Sequence, residues 1–345
     1  MRSAVSRRQF LAQSGLAAGG VLLAGRRSSG ESLPQQTGIP DESLPTEVLG
    51  KTGVRLPRLT LGTGPAGQSR DVSVRDLADL VDAAIDLGIT SIDTARRYGK
   101  AEESVGLGLG SRRLEVFLST KVFADTIADA ESSLSESLRQ LKTDHVDLLY
   151  FHNLGRRDVS KATEPDGVFT WLLKQKQAGK TRFVGISGHN LSERFPALIA
   201  TGEVDAILMV LNFVDRYQYG FERNILPLAC KQNLGVVAMK VLGGMRRRYG
   251  AYKGAKTPSQ LDEQYIPLAI RYALSLPGVA TANIGVHTID QLKSNLEVVR
   301  RFTPLNEAEQ ANCAMLGRKL SADWGPHFGP EVEQLSLADE PCLYV

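Results

Sequence analysis

Gly88-Ile-Thr-Ser-Ile-Asp93-Thr-Ala-Arg-Arg-Tyr98-Gly-Lys-Ala-Glu-Glu103-Ser-Val-Gly106 is the stretch on which the fold turns. It reads as a helix stop, a buried strand, a charged turn and a new helix start. An aspartate stands where the strand ends, and a tyrosine follows in the turn. Neither residue type is needed to close such a turn, so the pair points to chemistry.

The same phase recurs on either side. Apolar runs, expected as strands at Leu59–Gly62, Thr90–Thr94, Glu115–Lys121, Val146–His152, Arg182–Ser187, Ala206–Asn212, Val236–Val241 and Ala280–Val286, alternate with helical periods. In Val74–Leu87 the residues Leu77, Leu80, Val81 and Ala84 share a face; in Ala130–Leu141, Leu134, Leu138 and Leu141 do. Near-continuous Val/Ile/Leu strands are what a parallel sheet covered on both faces requires. Gly88, Gly179, Gly202, Gly235 and Gly278 each precede a strand, as expected for the left-handed residue just past a helix. Together these features predict an α/β fold, a single (β/α)8 TIM barrel over residues 46–320. A short hairpin over Glu47–Pro57, turning at Lys51-Thr-Gly53, precedes it. A doubly wound sheet would want a glycine-rich turn opening a helix after the first strand. Gly62-Thr-Gly64-Pro-Ala-Gly67 has the spacing, but Pro65 interrupts the expected helix start, so the barrel is preferred.

The rest of the chain bounds the function. Across 345 residues the net charge is +3, and no dense basic block interleaves with aromatics in the body, which argues against nucleic acid as a partner. Cys230, Cys313 and Cys342 lie far apart with no C-x-x-C pair, against a metal cluster; a Cys230–Cys313 or Cys313–Cys342 bridge stays open. Residues 1–30, with Ser6-Arg7-Arg8-Gln9-Phe10-Leu11 before a Gly/Ala-rich apolar run, resemble a twin-arginine export signal. That implies the twin-arginine (Tat) machinery as a partner and a periplasmic or cell-envelope location, without stable membrane insertion after processing. Residues 31–45 are expected as a flexible linker and 321–345 as a C-terminal tail.

A barrel carries its function at the strand C-termini. Those ends supply Thr63, Asp93, Lys121, His152, Ser187, Asn212 and Lys240. Polar residues that merely mark strand exits would account for Ser187 and Asn212. They account poorly for Lys121 and His152, which end apolar strands. Asp93, Lys121 and His152 end three successive strands, roughly 5 Å apart, with Tyr98 in the loop after the first. An ammonium beside a carboxylate stays charged and favours the phenolate of a nearby tyrosine, which can then exchange a proton near neutral pH.

These residues and their flanks resemble the aldo-keto reductase family. The likeness runs through Val48-Leu-Gly-Lys-Thr-Gly53, Ile92-Asp93-Thr-Ala-x-x-Tyr98-Gly, Glu103, Ser119-Thr-Lys121, Ser133-Leu-x-x-Ser-Leu-x-x-Leu, Asp147-Leu-Leu-x-x-His152, Val184-Gly-Ile-Ser187 and Gln291-Leu-x-x-Asn295. It implies an NAD(P)(H)-dependent oxidoreductase reducing an aldehyde or ketone, sugar-like ones included, to an alcohol or the reverse. Tyr98 would be the general acid/base, Lys121 and Asp93 would tune it, and His152 would orient the carbonyl. The cofactor, NADP or NAD, would lie near Gly62, Thr63, Asp93, Ser187, Asn190, Asn212, Met239, Lys240, Leu242, Gly285, Gln291 and Asn295. Several of these depart from the family pattern. Asn190 stands in for an Asn usually at Gly188, Leu208 replaces a Gln, and Met239 replaces a stacking Tyr. Gly285, Val286 and Gln291 replace residues that often hold a 2′-phosphate. Gly64 stands where many members place a Trp.

Other segments are read from the residues themselves. Arg156 and Arg157 are read as solvated loop residues, or as a preference for anionic or sugar-like substrates. His145, His287 and His327 are read as solvated or structural, and Met245–Gly250 and Trp324–Val345 as segments that could close over the site. Two rivals stand beside the enzyme reading. One is a nucleotide-binding barrel that senses redox state with little turnover. The other is a metal-dependent barrel using His152 and His189, disfavoured because Asp93 is the lone carboxylate at the strand ends.

Overall fold

The computed structural model describes residues 44–244 and 258–331. The export-signal-like leader, nearly all of the linker, Met245–Gly250, Cys342 and the chain end lie outside them.

Eight parallel strands close into a barrel: β3 (Leu59–Gly62), β4 (Ser91–Asp93), β5 (Phe117–Val122), β6 (Val146–Phe151), β7 (Thr181–Gly188), β8 (Ala206–Val210), β9 (Gly235–Met239) and β10 (Val279–Gly285). The ring is sealed where β10 pairs with β3, Gly285 opposite Gly62. A two-stranded hairpin, β1 (Thr46–Val48) with β2 (Arg55–Pro57), precedes it. The helices are α1 (Gly64–Gln68), α2 (Val74–Asp86), α3 (Ala101–Leu109), α4 (Ile127–Leu141), α5 (Val159–Ala162), α6 (Val168–Gln177), α7 (Phe195–Ile199), α8 (Leu226–Lys231), α9 (Ile266–Ser275), α10 (Ile289–Arg300) and α11 (Glu307–Trp324).

Local chemistry explains these elements. Every residue of β3, β4, β5, β6, β8 and β9 is buried, which is why their sequences carry apolar residues on both faces. The longer helices begin at side-chain caps. Ser73 and Asp76 form a capping box for α2, as Asn306 and Glu309 do for α11, and Thr126 and Thr288 cap α4 and α10. The hairpin plugs the barrel end away from the site. Leu49 is fully buried against Gly235, where an added Cβ would come within 2.5 Å of the leucine Cγ.

Two expectations are corrected, and one open alternative is closed. Gly88, Gly179, Gly202 and Gly278 do take positive φ, but Gly235 does not. It opens β9 and is glycine for closeness to Leu49, while Asn233 takes the left-handed turn at φ 51°. A short helix, α1, does open after the first barrel strand, because proline is tolerated in a first helical turn. Cys230 and Cys313 are both free, so the Cys230–Cys313 bridge is not formed. Among the described residues no helix is long and apolar enough to cross a membrane.

Candidate active site

Asp93 is the last residue of β4, Lys121 lies near the end of β5, and His152 follows β6. Adjacent registers bring the three side chains to one mouth, as the sequence predicts. The Lys121 ammonium is 1% exposed and donates to Asp93 Oδ2 at 2.6 Å and to the Thr94 carbonyl at 2.7 Å. Asp93 accepts further bonds from Ser119 Oγ at 2.8 Å and Asn283 Nδ2 at 2.9 Å. A buried ion pair is tolerable only when its remaining polar positions are satisfied, and here they are. Burial works against the Lys121 charge, but Asp93 and Tyr98 outweigh it and hold its pKa above the ordinary lysine value.

The Tyr98 ring lies 4.8 Å from the Lys121 ammonium and half-buried in the cleft wall. Lys121 does favour the phenolate, as expected, and burial of the phenol opposes it. Burial raises the Tyr98 pKa more than Lys121 lowers it, so the phenol rests protonated, as a proton donor. His152 meets Tyr98 edge to face at 6.1 Å. Burial, then the charges of Lys121 and its other neighbours, hold the His152 pKa well below the ordinary histidine value. Its imidazole is therefore neutral, and Nδ1 has no hydrogen-bond partner among the described residues.

The expected cofactor contacts divide. Gly62, Asp93, Met239, Lys240 and Gly285 line the cleft with Tyr98 and His152, and Leu208 joins them. Thr63, Ser187, Asn190, Asn212, Leu242, Gln291 and Asn295 are not among its lining residues. Their polar groups are mostly engaged elsewhere. Thr63 Oγ1 donates to the Asp93 carbonyl, Ser187 Oγ accepts from the Asn153 amide, and Asn190 Nδ2 donates to the Pro330 carbonyl. Asn212 Nδ2 donates to Asp215 and to the Lys240 carbonyl, and Gln291 Oε1 accepts from the His287 amide. Burial pushes the Lys240 pKa down to about 8.

Other cleft-lining positions escaped the sequence. Asn283 lines the cleft from β10; an amide near the end of a strand whose one other polar residue is Thr281 was its signal. Phe123 and Arg97 also line the cleft. Arg157 is not solvated: it is 6% exposed, stacks on Phe123 at 3.9 Å and pairs with Asp125 at 2.7 Å. His327 and Phe328 form part of the wall, so the start of the expected tail does reach the site. This segment is pinned by Tyr219, whose oxygen accepts from the Phe328 amide at 2.7 Å and whose hydroxyl donates to the Gly329 carbonyl at 3.2 Å. His145 instead pairs with exposed Asp144, and His287 is exposed. His189 lines the cleft with His152, but no metal-binding group of three ligands occurs among the described residues.

The closed barrel carries a buried lysine–aspartate pair beside a tyrosine at its C-terminal mouth. Residues 58–317 match the model of the aldo/keto reductase family, and the chain belongs to that family. It is 31% identical to methylglyoxal reductase DkgB of Yersinia pestis, over 70% of this chain and 87% of that protein. It is 26% identical to L-galactose dehydrogenase of Arabidopsis thaliana, over 74% of this chain and 88% of that one. An aldo/keto reductase from Klebsiella pneumoniae, solved with NADP and acetate, superposes with a TM-score of 0.62 at 25% identity, covering 78% of this chain and 94% of that one.

Proposed function

We propose that the chain interconverts a carbonyl compound and its alcohol with a nicotinamide cofactor, using Asp93, Tyr98, Lys121 and His152. The carrying observation is the buried Lys121 ammonium, fixed by Asp93 at 2.6 Å and set against the ring of Tyr98. The cleft offers room and apolar wall for the nicotinamide end of such a cofactor. Gly62, Gly64 and Gly285 leave its floor without side chains, and a Cβ at Gly64 would stand 3.4 Å from the Tyr98 ring. Leu208 and Met239 offer apolar wall, and a polarisable thioether suits an aromatic ring. The NADP-bound Klebsiella relative supports the same assignment.

When bound, a reduced nicotinamide supplies the hydride. His152, neutral, donates a hydrogen bond to the substrate carbonyl oxygen and orients it. Tyr98 gives its proton to that oxygen as the new C–H bond forms, and the phenolate left behind is stabilised by the Lys121 charge. Asp93 keeps that charge in place. Oxidation of an alcohol runs the same proton in reverse.

Titration with NADPH and with NADH, followed by turnover on aldehydes and ketones, tests this assignment. Tyr98→Phe should lower kcat by about 10²–10⁴-fold while retaining nucleotide affinity. Nucleotide binding without turnover on any carbonyl would favour the redox-sensing alternative instead. The Arg7-Arg8 leader supports a further part of the proposal, export by the twin-arginine route to the cell envelope. Replacing both arginines with lysine should retain the protein in the cytoplasm of a bacterial host; unchanged export would sink that part.

A further inference from the structure

The catalytic set explains how a carbonyl is held but leaves two basic side chains of the cleft, Lys240 and Arg97, without a task, and burial opposes the charge of Lys240. Asp93 is committed to Lys121, and Arg157 is committed to Asp125. Arg97 lines the same cleft, half-buried, and its guanidinium pairs with no carboxylate among the described residues. It rests instead 4.3 Å over the Phe123 ring, the ring that also carries Arg157. Phe123 in turn meets His152 edge to face at 5.8 Å. A single aromatic ring thus separates the free guanidinium from the imidazole at the carbonyl position.

The backbone that presents Arg97 is fixed from several sides. Gln68 Nε2 donates to the Arg97 carbonyl at 3.3 Å, the Lys100 amide donates to Gly67, and the Lys100 side chain reaches the Ser69 carbonyl. Gly99 takes φ 60° beside Gly67, an approach that an added Cβ would block at 2.7 Å from the Gly67 oxygen. The loop is therefore strapped to α1, and the arginine stem starts from a settled position. Phe123 supports the planar face of the guanidinium and leaves its N–H edge for an acceptor. Arg97 and Arg157 both add to the positive field on His152, and an anion at this place would relieve it.

We propose that Arg97, with Phe123 as its platform, is a specificity-determining subsite for an anionic group on the substrate. The preferred substrates are then small oxo or hydroxy compounds bearing a carboxylate or a phosphate about one ring-width from the reacting carbon. The proposal rests on the carbonyl-reductase reading above and narrows it. A planar guanidinium takes either anion by paired N–H bonds, and substrate size decides between the two.

Matched pairs supply the test. Wild-type protein with its nicotinamide cofactor is assayed on succinic semialdehyde against methyl 4-oxobutanoate, and on glyceraldehyde 3-phosphate against glyceraldehyde. In at least one pair kcat/KM should favour the anion by about 10- to 100-fold, with most of the difference in KM and shrinking with added salt. The pair that shows the preference identifies carboxylate or phosphate as the group recognised. In Arg97→Met that anionic-to-neutral ratio should fall towards one, and Arg97→Lys should restore part of it. A structural role for Arg97 would lower both members of a pair together and leave the ratio standing, which overturns the proposal. Equal turnover of both members by the wild type also overturns it and leaves the carbonyl-reductase reading intact. Failure on every carbonyl, neutral or charged, removes both.

Discussion

Two lysines end strands on opposite sides of the barrel mouth, and they have opposite fates. Lys121 on β5 is held charged by a carboxylate at 2.6 Å. Lys240, just past β9, is driven down to about 8 by burial, even though Asp215 lies near enough to oppose the shift. Asp215 spends its oxygens on Asn212 at 2.7 Å and on His327 Nε2 at 3.6 Å. Burial alone therefore does not set the protonation state at this mouth; a carboxylate committed to the ammonium does. Of these two lysines, one is a permanent cation next to Tyr98 and the other is an amine that titrates near working pH.

Removing the permanent cation should have the largest effect. Lys121→Ala leaves the Asp93 carboxylate buried without its counter-charge, for a loss of about 3–5 kcal/mol in urea unfolding as well as of turnover. A variant as stable as the wild type would break the contrast, because it would show that the Asp93 charge did not depend on Lys121. The titrating amine should give a smaller effect with a definite sign. Below pH 8 both folded and unfolded chains hold the Lys240 proton, so its burial cost is constant. Between pH 8 and the ordinary 10.5 the unfolded chain holds more of that proton, so this lysine's contribution to stability rises with pH. Unfolding curves of wild type and Lys240→Met across that window should show the extra upward slope in the wild type alone. Parallel slopes would mean that Lys240 is as firmly charged as Lys121.

The barrel was legible because its signals are periodic and local. Buried strands announce themselves by apolar runs, and four of the five punctuating glycines do sit in the left-handed region. Gly235 misled because its reason is a contact with Leu49, far away in sequence. The Asp93, Tyr98, Lys121 and His152 positions were legible from their places at strand ends and their flanking motifs. The direction of the Tyr98 shift was not, since it depends on how deeply the ring is buried and not on which lysine is near. Arg157 shows the same limit. A loop arginine beside Arg156 looks solvated in sequence, and only the fold reveals Phe123 and Asp125 around it. The tail from Trp324 was legible as a segment that could close over the site, but which of its residues form the wall, His327 and Phe328, was not.

The bond from Asn283 to Asp93 joins residues 190 positions apart. Its donor sits on the strand that seals the ring against β3. A nascent chain leaving the ribosome therefore exposes Asp93, Tyr98, Lys121 and His152 long before the last donor to Asp93 exists. Partly synthesised or C-terminally truncated chains would carry all four of these residues and still lack the finished carboxylate environment. Full satisfaction of the Asp93 carboxylate thus waits on ring closure and comes only when the final strand arrives.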